Sequence, residues 1–414
     1  MDEVLWQENR QRLLTRLPDA SLVVLFSGML LPKSADEQYV FTPNRNFLYV
    51  TGLDRPNQAL LVAKRGDALT EIVFIDPPDP WIEAWTGPMM TAEEAKTRAR
   101  VSEVTSRNAL TDYVARYLHD GYERVYLDLE RRRWTDPPAA GARFAEELRH
   151  RYPGAAIHDV YPHLAQLRRV KQTEEVAAIR AAIACTGEGM VALLRHFAPG
   201  RMEFELEAEF IRALRARNAR WAYEPIIASG INATVQHYTA HNRRIEAGEL
   251  LLVDAAAEVD YYKSDITRTF PVGDRFDARQ AALYGVVWDA VEETLARVRP
   301  GVSFAALNDT ARHVLTRGLQ GLHLLRDASE LPRFYYASVG HYLGLDTHDV
   351  GRYDVLEPGM VLTVEPGVYV RDEALGIRIE EDVLVTKEGM EVLSADMPRE
   401  LHAVEDWAAA CYSR

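Results

Sequence analysis

Four carboxylates and one histidine in the C-terminal half of the chain constrain its fold more than any other feature, because their spacing predicts two acidic hairpins. They are Asp254, Asp265, His341, Glu365 and Glu380. Taken singly, each acid is typical of a turn or a strand end and needs no function. Taken together, they have the order and spacing of a site that holds two metal ions.

The first pair, Asp254 and Asp265, lies in the sequence LLVDAAAEVDYYKSDITRTF. The apolar run from Leu250 to Val253 predicts a buried strand that ends at Asp254, and a second strand should start near Tyr262. A turn at residues 259 and 260 would place Asp254 directly opposite Asp265. Two carboxylates opposed on one face repel each other unless something lies between them, so this hairpin predicts a bound divalent cation.

The second pair, Glu365 and Glu380, repeats this arrangement in MVLTVEPGVYVRDEALGIRIEEDVLV. Apolar segments flank both acids, and a turn centred on Asp372 and Glu373 would place them opposite each other. His341 lies between the two hairpins, in GHYLGLDTHD, and is the candidate nitrogen ligand.

The types of ligand indicate which metal would bind. Four carboxylates carry a formal charge of −4, which two divalent ions would neutralise. A single imidazole among oxygen ligands favours a hard ion such as Mn²⁺ over a structural zinc. We therefore expect two divalent metal ions per chain, with Mn²⁺ the first choice and Co²⁺ or Zn²⁺ the alternatives.

Several longer motifs contain these residues. The strings NATVQHY, VDAAAE, SDITRTF, GHYLGLDTHDVG, LTVEPGVY and GIRIEEDVLV together resemble the M24 metallopeptidases of pita-bread fold, in the branch of aminopeptidase P and prolidase. The resemblance covers about residues 170 to 400, and NRNFLYVTGLDRPNQALLV extends it more weakly to the N-terminal domain of the same enzymes. It implies a dinuclear metal centre that cleaves peptide bonds next to proline. The metal-ligand positions of the family match the same five residues, and its outer-shell positions match His237, His348, Tyr369 and Arg378.

One position departs from the pattern of the proline-directed members. They usually carry another histidine four residues before the metal-binding histidine, and here that position is Ala337. Methionyl aminopeptidases of the same fold also lack it, so metal binding is still expected. The direction of attack stays open between aminopeptidase, dipeptidase and carboxypeptidase.

The expected chemistry is amide hydrolysis without a covalent intermediate. Two metal ions about 3.5 to 4 Å apart can share a water, lower its pKa and present hydroxide at neutral pH. Glu365 is the expected proton shuttle from that water to the leaving nitrogen, and His237 and His348 are the expected donors to the oxyanion. Arg378 shares a strand face with Glu380 and would hold either a ligand carboxylate or a substrate carboxylate.

A pocket for the proline ring would need aromatic side chains near the metal ions. The tyrosines closest in sequence to the motifs are candidates for its lining, although side chains at such spacing also suit a core. They are Tyr238, Tyr261, Tyr262, Tyr342 and Tyr369.

The pattern along the chain predicts two domains. Before residue 160, the apolar runs SLVVLFS, QALLVAK, EIVFIDP and RVYLDLE alternate with the helical patterns TAEEAKTRARV and ARFAEELRHRY, which is typical of an α/β domain. A long helix should begin at Gln172 and be closed by Pro199 and Gly200. We place the boundary at residue 165. Residues 1–165 would form an α/β domain of the aminopeptidase P and creatinase N-terminal type, and residues 166–414 an α+β pita-bread catalytic domain.

Composition limits the partners. A net charge of −14 disfavours nucleic acid and anionic membranes as partners. Only two cysteines occur, Cys185 and Cys411, and no signal peptide or run of 18 apolar residues is present, so we expect a cytoplasmic enzyme. The N-terminal domain is expected to provide oligomer contacts in a homodimer or homotetramer.

The sequence thus predicts a metallo-exopeptidase acting on proline-containing peptides, as an Xaa-Pro aminopeptidase or Xaa-Pro dipeptidase. Three alternatives stay open: a proline-directed carboxypeptidase of the same fold, a creatinase-like amidinohydrolase, and a non-catalytic peptide-binding scaffold. The last two normally lack part of the ligand set, and none of the five residues is missing here.

Overall fold

The computed structural model describes residues 3–412. The chain divides into two compact units between Arg168 and Arg169, which we call the N-terminal and C-terminal units. The division lies at the end of the helix Tyr161–Arg169, and the predicted boundary at residue 165 lies inside this helix.

The N-terminal unit is an α/β domain around one mixed sheet. Its helices are α1 Glu3–Leu14, α2 Arg45–Thr51, α3 Pro80–Thr86, α4 Ala92–Ala99, α5 Leu110–His119, α6 Ala140–Arg151 and α7 Tyr161–Arg169, with a 3-10 turn at Arg107–Ala109. Its strands are β1 Ser21–Phe26, β2 Pro32–Ser34, β3 Glu37–Gln38, β4 Ala59–Arg65, β5 Ala68–Ile75, β6 Glu103–Ser106, β7 Arg124–Leu127 and β8 Ala156–Asp159. The sheet order is β6-β5-β4-β1-β7-β8, and β2 and β3 form a separate hairpin.

The predicted apolar runs of this unit form the centre of its sheet. All six residues of β1 are buried, as its sequence SLVVLF suggests, because β-branched and leucine side chains pack well on both faces of a covered strand. β1 pairs antiparallel with β4 and parallel with β7. The predicted helical patterns form α4 and α6.

The C-terminal unit contains two pairs of helices and two long hairpins. Its helices are α8 Thr173–Leu194, α9 Glu203–Ala216, α10 Ala278–Leu295, α11 Phe304–Gly321 and α12 Leu401–Tyr412, with 3-10 turns at Gly230–Thr234, Ala328–Arg333 and Arg371–Glu373. Its strands are β9 Arg220–Trp221, β10 Ile226–Ser229, β11 Leu250–Asp254, β12 Ala257–Val259, β13 Tyr262–Lys263, β14 Thr267–Pro271, β15 Val361–Val364, β16 Gly367–Val370, β17 Leu375–Arg378, β18 Glu381–Val385 and β19 Met390–Val392.

The helices enclose the strands of this unit around one apolar core. α8 packs on α9, and α10 packs on α11. A continuous cluster of buried side chains joins these helices to the strands, with Phe210 from α9, Phe270 from β14 and Leu362 from β15 among its members. The hairpins are therefore held on a rigid, packed support, which is what a site with several converging side chains requires.

The long helix α8 begins as predicted, with Gln172 as its N-cap. It ends at Leu194 rather than at Pro199, because His196 and Phe197 bond back three residues, to the carbonyls of Leu193 and Leu194, and so tighten the chain into a 3-10 turn. Among the described residues, this one helix is long and apolar enough to cross a membrane, judged by length and composition alone. Half of its most apolar window is buried inside the fold.

The first acidic hairpin has a different register from the predicted one. β11 and β14 pair Asp254 with Thr267, and β12 and β13 pair Val259 with Tyr262. The turn is therefore at Asp260 and Tyr261, one residue later than predicted, and both residues have the left-handed φ values of a tight turn, 49° and 70°. Asp254 and Asp265 lie diagonally on one face and are not directly opposite.

The second acidic hairpin has the predicted register. The 3-10 turn Arg371–Glu373 contains the predicted turn centre, and Val364 pairs with Glu381 on one side of the acids while Gly367 pairs with Arg378 on the other. Glu365 and Glu380 lie where the ladder is interrupted. Pro366 has no N–H to donate there, which is one reason for the interruption.

Candidate metal centre

One cavity of about 860 Å³ in the C-terminal unit brings all five candidate ligands together. Asp254, Asp265, His341, Glu365 and Glu380 all line it. The two hairpins supply the carboxylates, and the extended segment around His341 supplies the imidazole. The sequence prediction that these residues meet at one place is therefore consistent with the geometry.

The two acids of the second hairpin lie between its two paired segments, β15 with β18 and β16 with β17. The Glu365 N–H donates to the carbonyl of Val339 at 2.8 Å, and the Glu380 N–H donates to the carbonyl of Thr267 at 3.2 Å. Each backbone thus bonds to a neighbouring element instead of to its hairpin partner. These two hydrogen bonds fix Glu365 beside the segment that carries His341 and Glu380 beside the first acidic hairpin.

His341 reaches the acids because its segment lies alongside β15. The His341 N–H donates to Thr363 Oγ1 at 3.0 Å, and the Thr363 N–H donates to the His341 carbonyl at 2.8 Å. His341 Nε2 lies 3.3 Å from Asp265 Oδ2 and 3.3 Å from Glu365 Oε1. The ring Nδ1 lies 3.1 Å from the carbonyl of Tyr342, which directs Nε2 toward the acids.

Three of the candidates are close enough to share one ion. The ligand atoms of Asp265, His341 and Glu380 all lie within 4.8 Å of one another, and all three residues are buried. Glu365 adjoins the group through His341.

Tyr223 connects the two aspartates of the first hairpin. Its hydroxyl lies 2.5 Å from Asp265 Oδ1 and also hydrogen-bonds to Asp254 Oδ1. Its phenol ring lines the same cavity. The diagonal offset between the two aspartates is thus bridged by a side chain from outside the hairpin.

Arg378 contacts Asp254 and not a second ligand. Its Nη2 forms an ion pair with Asp254 Oδ2, its Nη1 donates to Tyr369 Oη at 2.7 Å, and its Nε donates to Thr267 Oγ1 at 3.0 Å. The residue is only 4% exposed. The guanidinium therefore orients a candidate ligand carboxylate, which is one of the two roles predicted for it, and all three of its nitrogens already have protein partners.

Two threonine hydroxyls orient the glutamates. Thr267 Oγ1 donates to Glu380 Oε2 at 2.6 Å, and Thr363 Oγ1 donates to Glu365 Oε1 at 3.2 Å. Asp382, two residues after Glu380, accepts the backbone N–H of Asp265 at 3.1 Å. Such outer contacts fix the direction in which a ligand carboxylate presents its remaining lone pairs.

The electrostatics of the cluster suit bound cations. Burial raises the pKa of Asp254 against the opposing effect of Arg378, and burial together with the charges of Asp265 and Glu365 raises the pKa of Glu380 well above its ordinary value. Burial also raises the pKa of Glu365 to about 7. Buried acids that cannot all ionise without a compensating charge fit divalent ions, so the donor set fits a centre of divalent metal ions.

The neighbouring carboxylates favour the protonated form of His341. Burial alone would lower its pKa, but the carboxylates of Asp265 and Glu365 outweigh this effect and raise the pKa to about 9. A histidine ligand must be neutral, so an arriving metal ion would replace the proton on Nε2.

Of the residues predicted to lie around the metal ligands, the two histidines line the cavity and Tyr369 does not. His237 and His348 are exposed and line the cavity, and the His348 ring meets the His341 ring edge-on at 4.3 Å between centroids. Tyr369 is buried behind Arg378 and does not line the cavity. Ala337 lines the cavity with its methyl group.

The sequence does not locate the proline pocket and offers five nearby tyrosines as candidates for its lining. None of Tyr238, Tyr261, Tyr262, Tyr342 and Tyr369 lines the cavity. Tyr262, for example, is fully buried and donates to Glu175 at 2.8 Å. Tyr223, Phe304 and Tyr353 line the cavity instead. Tyr223 and Phe304 come from segments remote in sequence from the acidic motifs, whereas Tyr353 follows the motif GHYLGLDTHDVG by two residues.

Comparison with known families decides where the chain belongs. The model of metallopeptidase family M24 matches residues 177–387, and the model of the aminopeptidase P N-terminal domain matches residues 6–126. The chain belongs to metallopeptidase family M24. The predicted fold, an α/β N-terminal domain and a pita-bread catalytic domain, is thereby confirmed.

Relatives match this M24 chain along nearly its whole length. It is 32% identical to the Xaa-Pro aminopeptidase of Haemophilus influenzae, covering 97% of this chain and 96% of that protein. A candidate aminopeptidase P from Bacillus anthracis is 41% identical, covers 99% of both chains and has a TM-score of 0.96. The structure of aminopeptidase P from Escherichia coli with the inhibitor Pro-Leu is 28% identical, covers 100% of both chains and has a TM-score of 0.92.

Sequence reasoning missed several polar residues around this M24 site. Thr363 stands two residues before Glu365, so strand alternation alone could have found it. Thr267 would have followed from shifting the first turn by one residue. Tyr223 gave no signal, because its contact with the aspartates depends on how the segment before β10 lies against the hairpin.

Proposed function

We propose that this protein is an Xaa-Pro aminopeptidase that uses two divalent metal ions, with Mn²⁺ the first choice and Co²⁺ or Zn²⁺ the alternatives. The observation that carries the proposal is the cluster of four carboxylates and one imidazole at a cavity of about 860 Å³, all of them buried except the half-buried Glu365. Full-length similarity to proteins named Xaa-Pro aminopeptidase supports the substrate class. Asp254, Asp265, His341, Glu365 and Glu380 would hold the ions.

The metal ions, when bound, would lower the pKa of a water molecule and polarise the scissile carbonyl. Glu365 accepts a hydrogen bond from Thr363 at Oε1, so Oε2 is the atom that would take a proton from the water and pass it to the leaving nitrogen. His237 and His348 line the cavity as side chains that can donate to the developing oxyanion.

Arg378 and Tyr369 act behind the ligands in this proposal. Arg378 holds Asp254 by an ion pair, and the Tyr369 hydroxyl holds one arm of the guanidinium. Arg378 thereby opposes the effect of burial on the pKa of Asp254 and directs this carboxylate at the cavity. We assign neither residue a direct contact with substrate.

Attack from the N-terminal end is the direction that the named relatives support. Ala337 offers no polar group where proline-directed members usually carry a histidine, so imidazole contacts to the peptide would come from His237 and His348. Dipeptidase and proline-directed carboxypeptidase activity are the alternatives that an experiment on substrate ends would separate.

The test compares substrates of defined ends on one enzyme preparation. The protein is stripped of metal, reloaded with Mn²⁺ and given Xaa-Pro-Yaa peptides, the same peptides acetylated at the N-terminus, the same peptides amidated at the C-terminus, and Xaa-Pro dipeptides. We expect release of Xaa from free and amidated peptides and none from acetylated ones. Cleavage of acetylated peptides only at the C-terminal residue would support the carboxypeptidase, and no cleavage of any proline peptide would contradict the proposal.

Metal analysis separates the remaining alternatives. A peptidase of this type should bind close to two metal ions per chain, whereas a creatinase-like amidinohydrolase or a peptide-binding scaffold needs none. The complete ligand set at one cavity supports the peptidase.

We further propose a cytoplasmic homodimer or homotetramer that uses its N-terminal unit for contacts. Cys185 and Cys411 are not joined by a disulfide bond, which suits a reducing compartment. Three tryptophans of the N-terminal unit are largely exposed, Trp81 at 70%, Trp85 at 75% and Trp134 at 92%, and indole rings of this kind are enriched in protein interfaces. Light scattering of the purified protein would give the oligomeric state.

A further inference from the structure

Glu203 is a fully buried carboxylate outside the metal cluster. It stands at the first position of α9 and is 0% exposed. Five groups donate to it: Ser229 N at 2.7 Å, Ser229 Oγ at 2.7 Å, Asn232 Nδ2 at 3.1 Å, Tyr238 Oη at 2.6 Å and Arg243 N at 3.1 Å. All five belong to one segment of the chain, residues 229–243, which we call the His237 loop.

The His237 loop depends on such contacts for its shape. Apart from the 3-10 turn Gly230–Thr234 and the strand end at Ser229, it has no regular secondary structure. Its backbone groups therefore need partners other than a ladder, and a buried carboxylate that accepts several of them fixes the path of the chain. Gln236 and His237, near the middle of the loop, line the cavity of the metal site.

Tyr238 anchors the part of the loop that contains His237. Its hydroxyl bonds to Glu203 Oε2, and its ring meets the buried His241 ring at 5.8 Å between centroids. Tyr238 directly follows His237, so its anchored side chain sets where the exposed imidazole of His237 can lie. A loop residue next to such an anchor loses conformational freedom before any ligand binds.

The Arg243 side chain closes the loop at its ends through an ion pair with Glu249 and a hydrogen bond to Ser229. Arg243 Nη2 lies 2.5 Å from Glu249 Oε1, and Arg243 Nη1 lies 3.0 Å from Ser229 Oγ. Gly230 has a φ of +51°, and a Cβ there would lie 2.5 Å from Glu249 Oε1. The two ends of the loop are therefore joined around Glu203, and the chain between them is held in one arrangement.

We infer that Glu203 is a positioning residue, which holds the His237 loop so that His237 faces the substrate at the metal site. Its effect on peptide cleavage rests on the proposed function, whereas the fixing of the loop rests on the five hydrogen bonds to Glu203. Glu203 acts only through the loop, since it lies outside the residues that line the cavity. A glutamine in its place would turn an amide NH₂ toward groups that are themselves donors, and part of the network would lose its acceptor.

Glu203→Gln is the test variant, and Glu405→Gln is its matched control. Glu405 is also a buried carboxylate of the C-terminal unit, 3% exposed, and accepts from Phe276 N at 2.8 Å and from Arg275 at 2.7 Å, away from the cavity. Tyr238→Phe, which removes one donor and keeps the ring, serves where Glu203→Gln folds poorly. The first measurement is amide hydrogen exchange of residues 229–243 in the Mn²⁺-loaded protein.

We expect exchange in this loop to be about tenfold faster in Glu203→Gln and unchanged in Glu405→Gln, since only the former opens the loop locally. Unchanged exchange in both Glu203→Gln and Tyr238→Phe would overturn the inference whether or not the enzyme cleaves proline peptides. If the wild type itself cleaves none, the proposed function fails while this readout still decides the structural role.

The second measurement is a double-mutant cycle with His237→Ala on the cleavage of an Xaa-Pro-Yaa peptide. Glu203→Gln should lower kcat/KM about tenfold in the wild-type background and hardly at all when His237 is already alanine. The change should fall on the same parameter, kcat or KM, that His237→Ala changes. Metal affinity should stay within about twofold of wild type. A loss of equal size in both backgrounds would show that Glu203 does not act through His237.

Discussion

The hydroxyl of Tyr223 lies 2.5 Å from Asp265 Oδ1 and also hydrogen-bonds to Asp254, so one phenol joins two acids that the hairpin register leaves diagonal. Burial, and then the charges of these two acids, raise the pKa of Tyr223 well above its ordinary value, so the hydroxyl stays protonated and donates. Tyr223 thereby fixes the spacing between two candidate metal ligands.

Tyr223→Phe should weaken metal binding without unfolding the protein. The ring keeps its packing, while the two carboxylates lose the donor that orients them, and removing such an outer contact typically lowers metal affinity about tenfold. Competition with a chelator measures the dissociation constant for Mn²⁺. Tyr353→Phe, which removes a hydroxyl from another ring at the same cavity, is the control and should leave the affinity within about twofold of wild type.

Asp265→Asn should separate metal binding from folding. The amide preserves the shape of the side chain and removes one negative charge from a buried group of like charges, so the metal-free variant should be at least as stable as the metal-free wild type. Added Mn²⁺ should raise the Tm of the wild type but not of the variant, and turnover should be lost.

The control for this experiment is Asp260→Asn in the turn of the same hairpin, where φ is 49° and asparagine is well tolerated. It should keep both turnover and the response to Mn²⁺. Wild-type turnover in Asp265→Asn, or an equal loss of stability with and without Mn²⁺, would show that Asp265 is a structural residue.

Arg378→Lys should lower kcat/KM without changing how the enzyme reads the C-terminus of its substrate. An ammonium cannot reach Asp254, Thr267 and Tyr369 at once, so we expect a loss of about ten- to a hundredfold. The ratio of kcat/KM for free and amidated Xaa-Pro-Yaa peptides should be the same in wild type and variant. A variant that specifically loses its preference between the two would show that Arg378 binds the substrate carboxylate.

Glu175→Gln should flatten the pH dependence of stability. Burial raises the pKa of Glu175 to about 7 in the folded chain, above the ordinary value of 4.5. The folded state therefore binds the proton more tightly than the unfolded state, and this stabilisation is complete below about pH 4.5 and lost as the pH rises through about 7. The shift corresponds to roughly 3 kcal/mol.

Urea unfolding of the metal-free protein between pH 5 and 8.5 measures this effect. The free energy of unfolding should fall less with rising pH in Glu175→Gln than in wild type. The amide replaces one of the two oxygens that accept from Gln172 and Tyr262, which lowers stability by a similar amount at every pH and leaves the slope as the readout. Glu174→Gln, at the adjacent exposed position of α8, should follow the wild-type curve. A variant whose curve runs parallel to that of the wild type would show that Glu175 is not protonated in the folded state.

The two hairpins show how far local pattern determines structure. In the second hairpin, the run of apolar residues on both sides of Asp372 and Glu373 leaves one register that buries them, so the turn could be placed from sequence. In the first hairpin, the sequence AAAEVDYY has small and polar residues around the turn that fit two registers about equally well. The choice between them was made by packing of β11 between β10 and β14, and it moved the turn by one residue.

The sequence by itself determined the two-domain order, the main helices, the acidic hairpins and the five residues that meet at the cavity, because each depends on spacing within one segment. Only the tertiary structure decided which partner each of the outer side chains reaches. Tyr223 reaches Asp265 across 42 positions, Thr267 reaches Glu380 across 113, and Arg378 reaches Asp254 across 124. Such contacts leave no period in the sequence, since they arise only when separately folded segments pack together and their polar groups must find partners away from water.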